Sequence, residues 1–170
     1  DSSFKSMDGI DGSNAIVYSI TQTPDNKAII AGDFFSYNGI GRNRIARIFL
    51  EPSLETDSLA LVALYNATNG PGWTDNTNWL TGSVDTWYGV GVNGGRVEQL
   101  SLTNNNLSGP LPTEIGNLTA LQYLDLGDNQ LTGSLPTSIG SLTSLLGLSL
   151  YSNSLQGTIP PVLGNLTNLT

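Results

Sequence analysis

A stretch of 24 residues is written three times in succession in the second half of this chain. VEQLSLTNNNLSGPLPTEIGNLTA (97–120), LQYLDLGDNQLTGSLPTSIGSLTS (121–144) and LLGLSLYSNSLQGTIPPVLGNLTN (145–168) align without a gap, and a fourth copy opens at Leu169 before the chain is cut off. No other feature constrains the fold as strongly. One copy carries seven apolar positions, in the first Val97, Leu100, Leu102, Leu107, Leu111, Ile115 and Leu118. Burying seven side chains cannot offset the conformational entropy lost in ordering 24 residues. A copy therefore becomes stable only by burying its apolar side against the next. The chain is expected to stack its copies in a line, as a solenoid, rather than gather them round one core.

Within each copy the pattern is L-x-x-L-x-L-x-x-N-x-L. The pairs Leu100/Leu102, Leu124/Leu126 and Leu148/Leu150 have the period of two of a short strand with one face buried. Asn105, Asn129 and Asn153 recur where the chain must leave the strand. A short amide there can bond backbone groups of neighbouring turns, so the three are expected to form a ladder. Gly109/Pro112, Gly133/Pro136 and Gly157/Pro160 follow and prevent a regular helix from starting at once. The non-leucine positions of each strand are left to face outward on a concave surface: Gln99, Ser101 and Thr103, then Tyr123, Asp125 and Gly127, then Gly147, Ser149 and Tyr151. Asn104, Asp128 and Ser152 fall at its edge. Tyr123 and Tyr151 stand diagonally on this face and offer apolar area with a hydrogen-bonding tip.

The wording L-x-x-N-x-L-[ST]-G-x-[LI]-P-x-x-[IL]-G-x-L resembles the plant-type class of leucine-rich repeats over 97–170. The resemblance implies an α/β solenoid with short parallel strands. It extends upstream, where DSLALVALYNATNGPGWTDNTNWL and DTWYGVGVNGGRVEQL are similar to the N-terminal cap of such repeats. In physical terms, Thr56 or Asp57 can cap a helix with Leu61, Leu64 and Tyr65 on one side, ended by Asn69-Gly70-Pro71. Trp73, Trp79 and Trp87 are expected to cover the open end of the leucine stack. Asn93-Gly94-Gly95 is expected to turn a hairpin into the first repeat. Plant receptor caps usually carry a cysteine pair, whereas this chain has no cysteine. The resemblance thus favours the cysteine-free bacterial and algal versions.

The first fifty residues carry no such repeat. AIVYSI (15–20) and KAIIAGDF (27–34) read as strands joined at Pro24-Asp25-Asn26, and RNRIARIFL (42–50) as a third, entered through Asn38-Gly39. GDFFSYNG and RNRIARI resemble one blade of the bacterial repeat β-propellers, although Ala31 and Asn26 stand where that family usually has Gly. A propeller needs several blades, so the chain is read as an excerpt whose other blades lie upstream, the alternative being an orphan sheet packed on the cap. The expected organisation is a blade-like segment over 1–50, a cap over 51–96 and repeats over 97–170.

Charge and chemistry narrow the function. Residues 1–50 balance five basic residues with five acids, whereas residues 51–170 hold Arg96 alone against nine acids and so carry the whole net charge of −8. Such a surface cannot neutralise phosphates, which excludes nucleic acid and anionic lipid as partners of this part. With no Cys and no His, thiol nucleophiles, imidazole bases and Cys/His metal sites are absent. Asp125 and Asp128 are the nearest thing to a glycosidase or Ca²⁺ pair, but a regular solenoid face and two carboxylates without a ligand loop speak for solvated surface acids. No catalytic residue, metal or cofactor is expected. The resemblance implies an extracellular or cell-surface recognition or adhesion module that binds protein or polysaccharide. Its candidate binding residues are Gln99, Ser101, Thr103, Tyr123, Asp125, Ser149 and Tyr151. A receptor ectodomain, the accessory module of a secreted hydrolase and a plain spacer are the alternatives.

Overall fold

A computed structural model of the chain describes residues 53–170 throughout and, before them, the backbone of six strands. It divides into two compact units, Asp1–Glu51 and Pro52–Thr170. In the first, β2 (Ile16–Thr23), β3 (Lys27–Asp33) and β6 (Ile45–Phe49) form an antiparallel meander in that order. Three two-residue strands, β1 (Ile10–Asp11), β4 (Ser36–Tyr37) and β5 (Ile40–Gly41), make a second small sheet that the residue pattern does not announce. The turns expected at Pro24-Asp25-Asn26 and Asn38-Gly39, and the start of the third strand at Arg42, lie outside the described residues.

The second unit opens with helix α1 (Leu54–Ala67). Its cap is neither Thr56 nor Asp57. Ser53 is the N-cap: its Oγ accepts from the Thr56 N–H at 3.3 Å, and Thr56 Oγ1 accepts from the Ser53 N–H at 2.8 Å, a reciprocal capping box. Asp57 lies one residue further in, fully buried, and is taken up by a different task. The helix ends at Thr68, followed by Asn69 in the left-handed region and a 3₁₀ turn over Gly70–Gly72. Ala60, Leu61 and Leu64 point into the core, with Tyr65 half-buried beside them.

Trp73, Trp79 and Trp87 join the same core as Leu100, Leu102 and Leu107. Their rings meet edge-on or tilted, Trp73 to Trp79 at 4.7 Å between centroids and Trp79 to Trp87 at 5.0 Å, while Tyr65 stacks on Trp79 at 5.8 Å. Burying an indole requires a partner for its N–H, and each finds a backbone carbonyl: Trp73 on Thr68, Trp79 on Tyr88, Trp87 on Thr81. The cap then turns through β7 (Val90–Asn93) into β8 (Arg96–Ser101), an antiparallel hairpin. Gly94 and Gly95 both have positive φ, 56° and 75°, as the two central residues of such a turn require.

From β8 onward the strands run parallel. β10 (Tyr123–Asp125) lies beside β8 and β12 (Gly147–Ser149) beside β10, so that Leu100, Leu124 and Leu148 stand abreast. A second parallel ladder joins β9 (Ser108–Pro110) to β11 (Gln130–Thr132). The leucine pattern alone gives no hint of it. After Pro112, Pro136 and Pro160 the chain forms 3₁₀ turns over Thr113–Asn117, Thr137–Ser141 and Pro161–Asn165, which stack on one another, with α1 packed on the first. The proline does not abolish helical backbone; it starts the tighter, shorter kind.

Candidate functional site

The face of the β8–β10–β12 sheet opposite the leucines is built in three rows. Gln99, Tyr123 and Gly147 form the first, and Ser101, Asp125 and Ser149 the second. The third, Thr103, Gly127 and Tyr151, continues beyond the strands through bonds from the Asn104 N–H to the Gly127 carbonyl and from the Asp128 N–H to the Tyr151 carbonyl, each 3.0 Å. Asn104, Asp128 and Ser152 then take positive φ of 50–53°, which short polar residues tolerate, and carry the chain off the face.

The rows differ in what they expose. Gln99 and Ser101 are open, Thr103, Asp125 and Ser149 half-buried, and Tyr123 and Tyr151 remain 50% and 56% exposed. Each tyrosine ring lies across a glycine of the neighbouring copy. A Cβ on Gly147 would come within 3.1 Å of Tyr123 Cδ1, and one on Gly127 would collide with the Tyr151 ring. The rings thus lie over the paired β10 and β12, one at each end, with the surface between the rings left open. Asp125 and Ser149 occupy the middle. Residue lettering names all six positions, but the part the two glycines play emerges only once it is known which residue stands beside which.

Partial burial, which alone would raise the Asp125 carboxyl, is outweighed by the neighbouring Ser149 hydroxyl and the Gly127 N–H, so it titrates below the ordinary 3.8. Asp125 is therefore a settled anion at neutral pH and unsuited to act as a general acid. Tyr151 is pushed above its ordinary 10.0, first by the hydrogen bond to Asp128, then by the charges of Asp128 and Asp125. Among the described residues no three Asp, Glu, His or Cys side chains converge as a metal ion would need.

Behind this face Asn105, Asn129 and Asn153 run as a line of amides. Asn129 Oδ1 accepts from the Asn105 and Leu107 N–H groups at 3.1 and 2.9 Å, and its Nδ2 donates to the carbonyls of Leu102, Leu126 and Gly127. Asn153 does the same one copy on, accepting from Leu131 and donating to Leu126, Leu150 and Tyr151. Asn105 has no copy before it and grips the cap instead, through the N–H and carbonyl of Asp75. A second joint with the cap is absent from the repeat pattern. Asp57 accepts a bidentate pair from Arg96 Nε and Nη2, both 2.9 Å, together with the Val97 N–H at 2.8 Å, and Arg96 Nη2 reaches on to Thr119. The one basic residue of an otherwise acidic stretch was the available signal.

Residues 96–118, 120–142 and 144–166 each match the family model described as Leucine Rich Repeat. These three segments are leucine-rich repeats. They resemble the repeats of plant receptor ectodomains. Among curated proteins, the leucine-rich repeat receptor-like protein kinase PEPR2 of Arabidopsis thaliana is 39% identical over 83 residues, which make up 44% of this chain and 8% of that protein. Among solved structures, the BIR2 ectodomain from Arabidopsis thaliana superposes with a TM-score of 0.56 at 32% identity, covering 66% of this chain and 63% of that one. The leucine-rich repeat ectodomain of the Arabidopsis receptor kinase HAESA, solved with an IDA peptide hormone ligand, gives 0.57 at 29% identity over 70% of this chain and 20% of its own. The chain therefore spans less than two thirds of each of these proteins.

Proposed function

We propose that the leucine-rich repeats of this chain form a non-enzymatic, extracellular recognition module that binds a protein or peptide along the exposed, concave strand face. The observation that carries the reading is the pair Tyr123 and Tyr151, half exposed and laid over glycines on the face of the β8–β10–β12 sheet opposite its leucines. Apolar rings fixed in place, with polar tips and polar neighbours, form a ready anchor for a partner that covers them. The HAESA ectodomain with its peptide hormone supports a polypeptide ligand over a polysaccharide. Asp125, held as an anion, supports binding over acid catalysis. Likeness to receptor ectodomains favours a second, narrower reading in which the repeats belong to a receptor. The cysteine-free cap instead supports a bacterial or algal surface protein. The antiparallel β2–β3–β6 meander supports the propeller-blade reading of residues 1–50.

The test presents the chain, immobilised, to extracellular protein and polysaccharide fractions beside a Tyr123→Ala/Tyr151→Ala variant of equal thermal stability. The expected result is retention of a protease-sensitive component that the variant releases. Retention of a glycosidase-sensitive component alone would replace the polypeptide ligand with a glycan. Equal retention by both chains would move the site off this face.

A further inference from the structure

We infer that the space over β10 and β12, between the two tyrosine rings, takes the cationic side chain of an arginine or lysine presented by an extended polypeptide; this rests on the reading of the face as a recognition surface. Three observations converge on a cation. The floor of the space is the Asp125 carboxylate, with Asp128 beside Tyr151 at one end. Both walls are tyrosine rings seated on glycines, open to solvent by half or more. No basic side chain of this unit competes for the carboxylates, because Arg96 is the sole Lys or Arg after residue 50 and is committed to Asp57.

The dimensions agree. Tyr123 and Asp125 stand two positions apart on β10, so at a rise of about 3.3 Å per residue they lie about 6–7 Å apart along one face. A cation that pairs with Asp125 and leans toward the Tyr123 ring comes into the range of about 6 Å over which a ring quadrupole attracts it. Ser149, across from Asp125, adds a hydroxyl acceptor for a second N–H. A guanidinium, planar and many-donored, suits such a site better than a neutral sugar, which would stack on the rings and leave the carboxylate without a countercharge.

The test is a titration of the full ¹⁵N-labelled chain with a capped Gly-Gly-Arg-Gly-Gly peptide, with its citrulline analogue, which keeps the shape and loses the charge, and with cellohexaose. The expected result is saturable amide shifts at Tyr123, Asp125, Gly127, Gly147, Ser149 and Tyr151 for the arginine peptide alone. Asp125→Asn should weaken them about tenfold, and Tyr123→Leu/Tyr151→Leu, which keeps apolar area and removes the rings, about fivefold. Raising salt from about 0.1 M to about 1 M should weaken them as well. Equal shifts with citrulline, shifts spread evenly to Asp85 and Glu114, or shifts from cellohexaose in place of the peptide would overturn the inference. A silent arginine peptide beside a Tyr123→Ala/Tyr151→Ala chain that still loses its partner removes the cation site and leaves the recognition face standing. If the double variant also keeps its partner, both readings fall.

Discussion

In the cap, residues 53–96, four aromatic rings and one partly buried ion pair hold together a segment that repeats nothing; in residues 97–170, leucines and amides do so by recurrence. The consequences differ. Each cap residue has a task no other shares, such as Asp57 joining α1 to β8, or Trp79 touching three rings at once. In the repeats each task is done once per copy, and how well depends on the neighbours. Leu111 is 5% exposed, while Ile159, its counterpart in the third copy, is 80% exposed. Leu100 and Leu102 are fully enclosed, and Leu148 and Leu150 only partly.

The largest effect should come from the cap. Trp79→Ala removes the ring on which Tyr65, Trp73 and Trp87 converge and should cost about 3–5 kcal/mol, read as a fall in the urea midpoint. Asp57→Asn follows at about 3 kcal/mol, because it leaves the Arg96 guanidinium without its countercharge; adding Arg96→Met should recover part of that loss. In the repeats the same kind of change should depend on place. Asn129→Ala strips two N–H groups and three carbonyls of their partner and should cost about 2–3 kcal/mol, whereas Asn153→Ala, half-buried and accepting from the Leu131 N–H alone, should cost about half as much. Equal costs for the two amides would contradict this difference in partners and burial.

These contrasts also explain what the sequence could disclose. A strict repeat places its own leucines, because any position that recurs with a period of two beside a turn must face the neighbouring copy. The interior leucines follow from that alone, whereas the parallel run of the strands was implied by the resemblance to plant-type repeats. The cap obeys no period, so the letters of Asp57 are equally those of a helix cap, and only the fold reveals that Arg96 lies beside it, 39 residues away. The second ladder of β9 and β11 was hidden because it rests on backbone groups. On the exposed face, alternation marks which residues point outward. It cannot mark that Gly127 and Gly147 make room for the rings, since that depends on side-by-side register.

The smallest expected effect concerns pH. Asp125 has a folded value below its ordinary 3.8, so its contribution is present in full above that value and fades as pH falls through the lower, folded one. The group is half-buried and still reached by solvent, so Asp125→Asn should flatten the acid limb of the stability profile only slightly, in thermal melts between about pH 2 and about pH 6.

The decisive measurement sets the two sides of the repeats against each other. Tyr123→Ala/Tyr151→Ala alters the strand face, and Gln130→Ala/Thr132→Ala alters exposed positions of β11 on the other ladder. Affinity for the retained partner and the melting temperature are measured for both. Anchoring by the tyrosines predicts a loss of at least about tenfold for the first variant and none for the second, at equal melting temperatures. Loss of binding with the β11 variant, and full binding without the tyrosines, would contradict it.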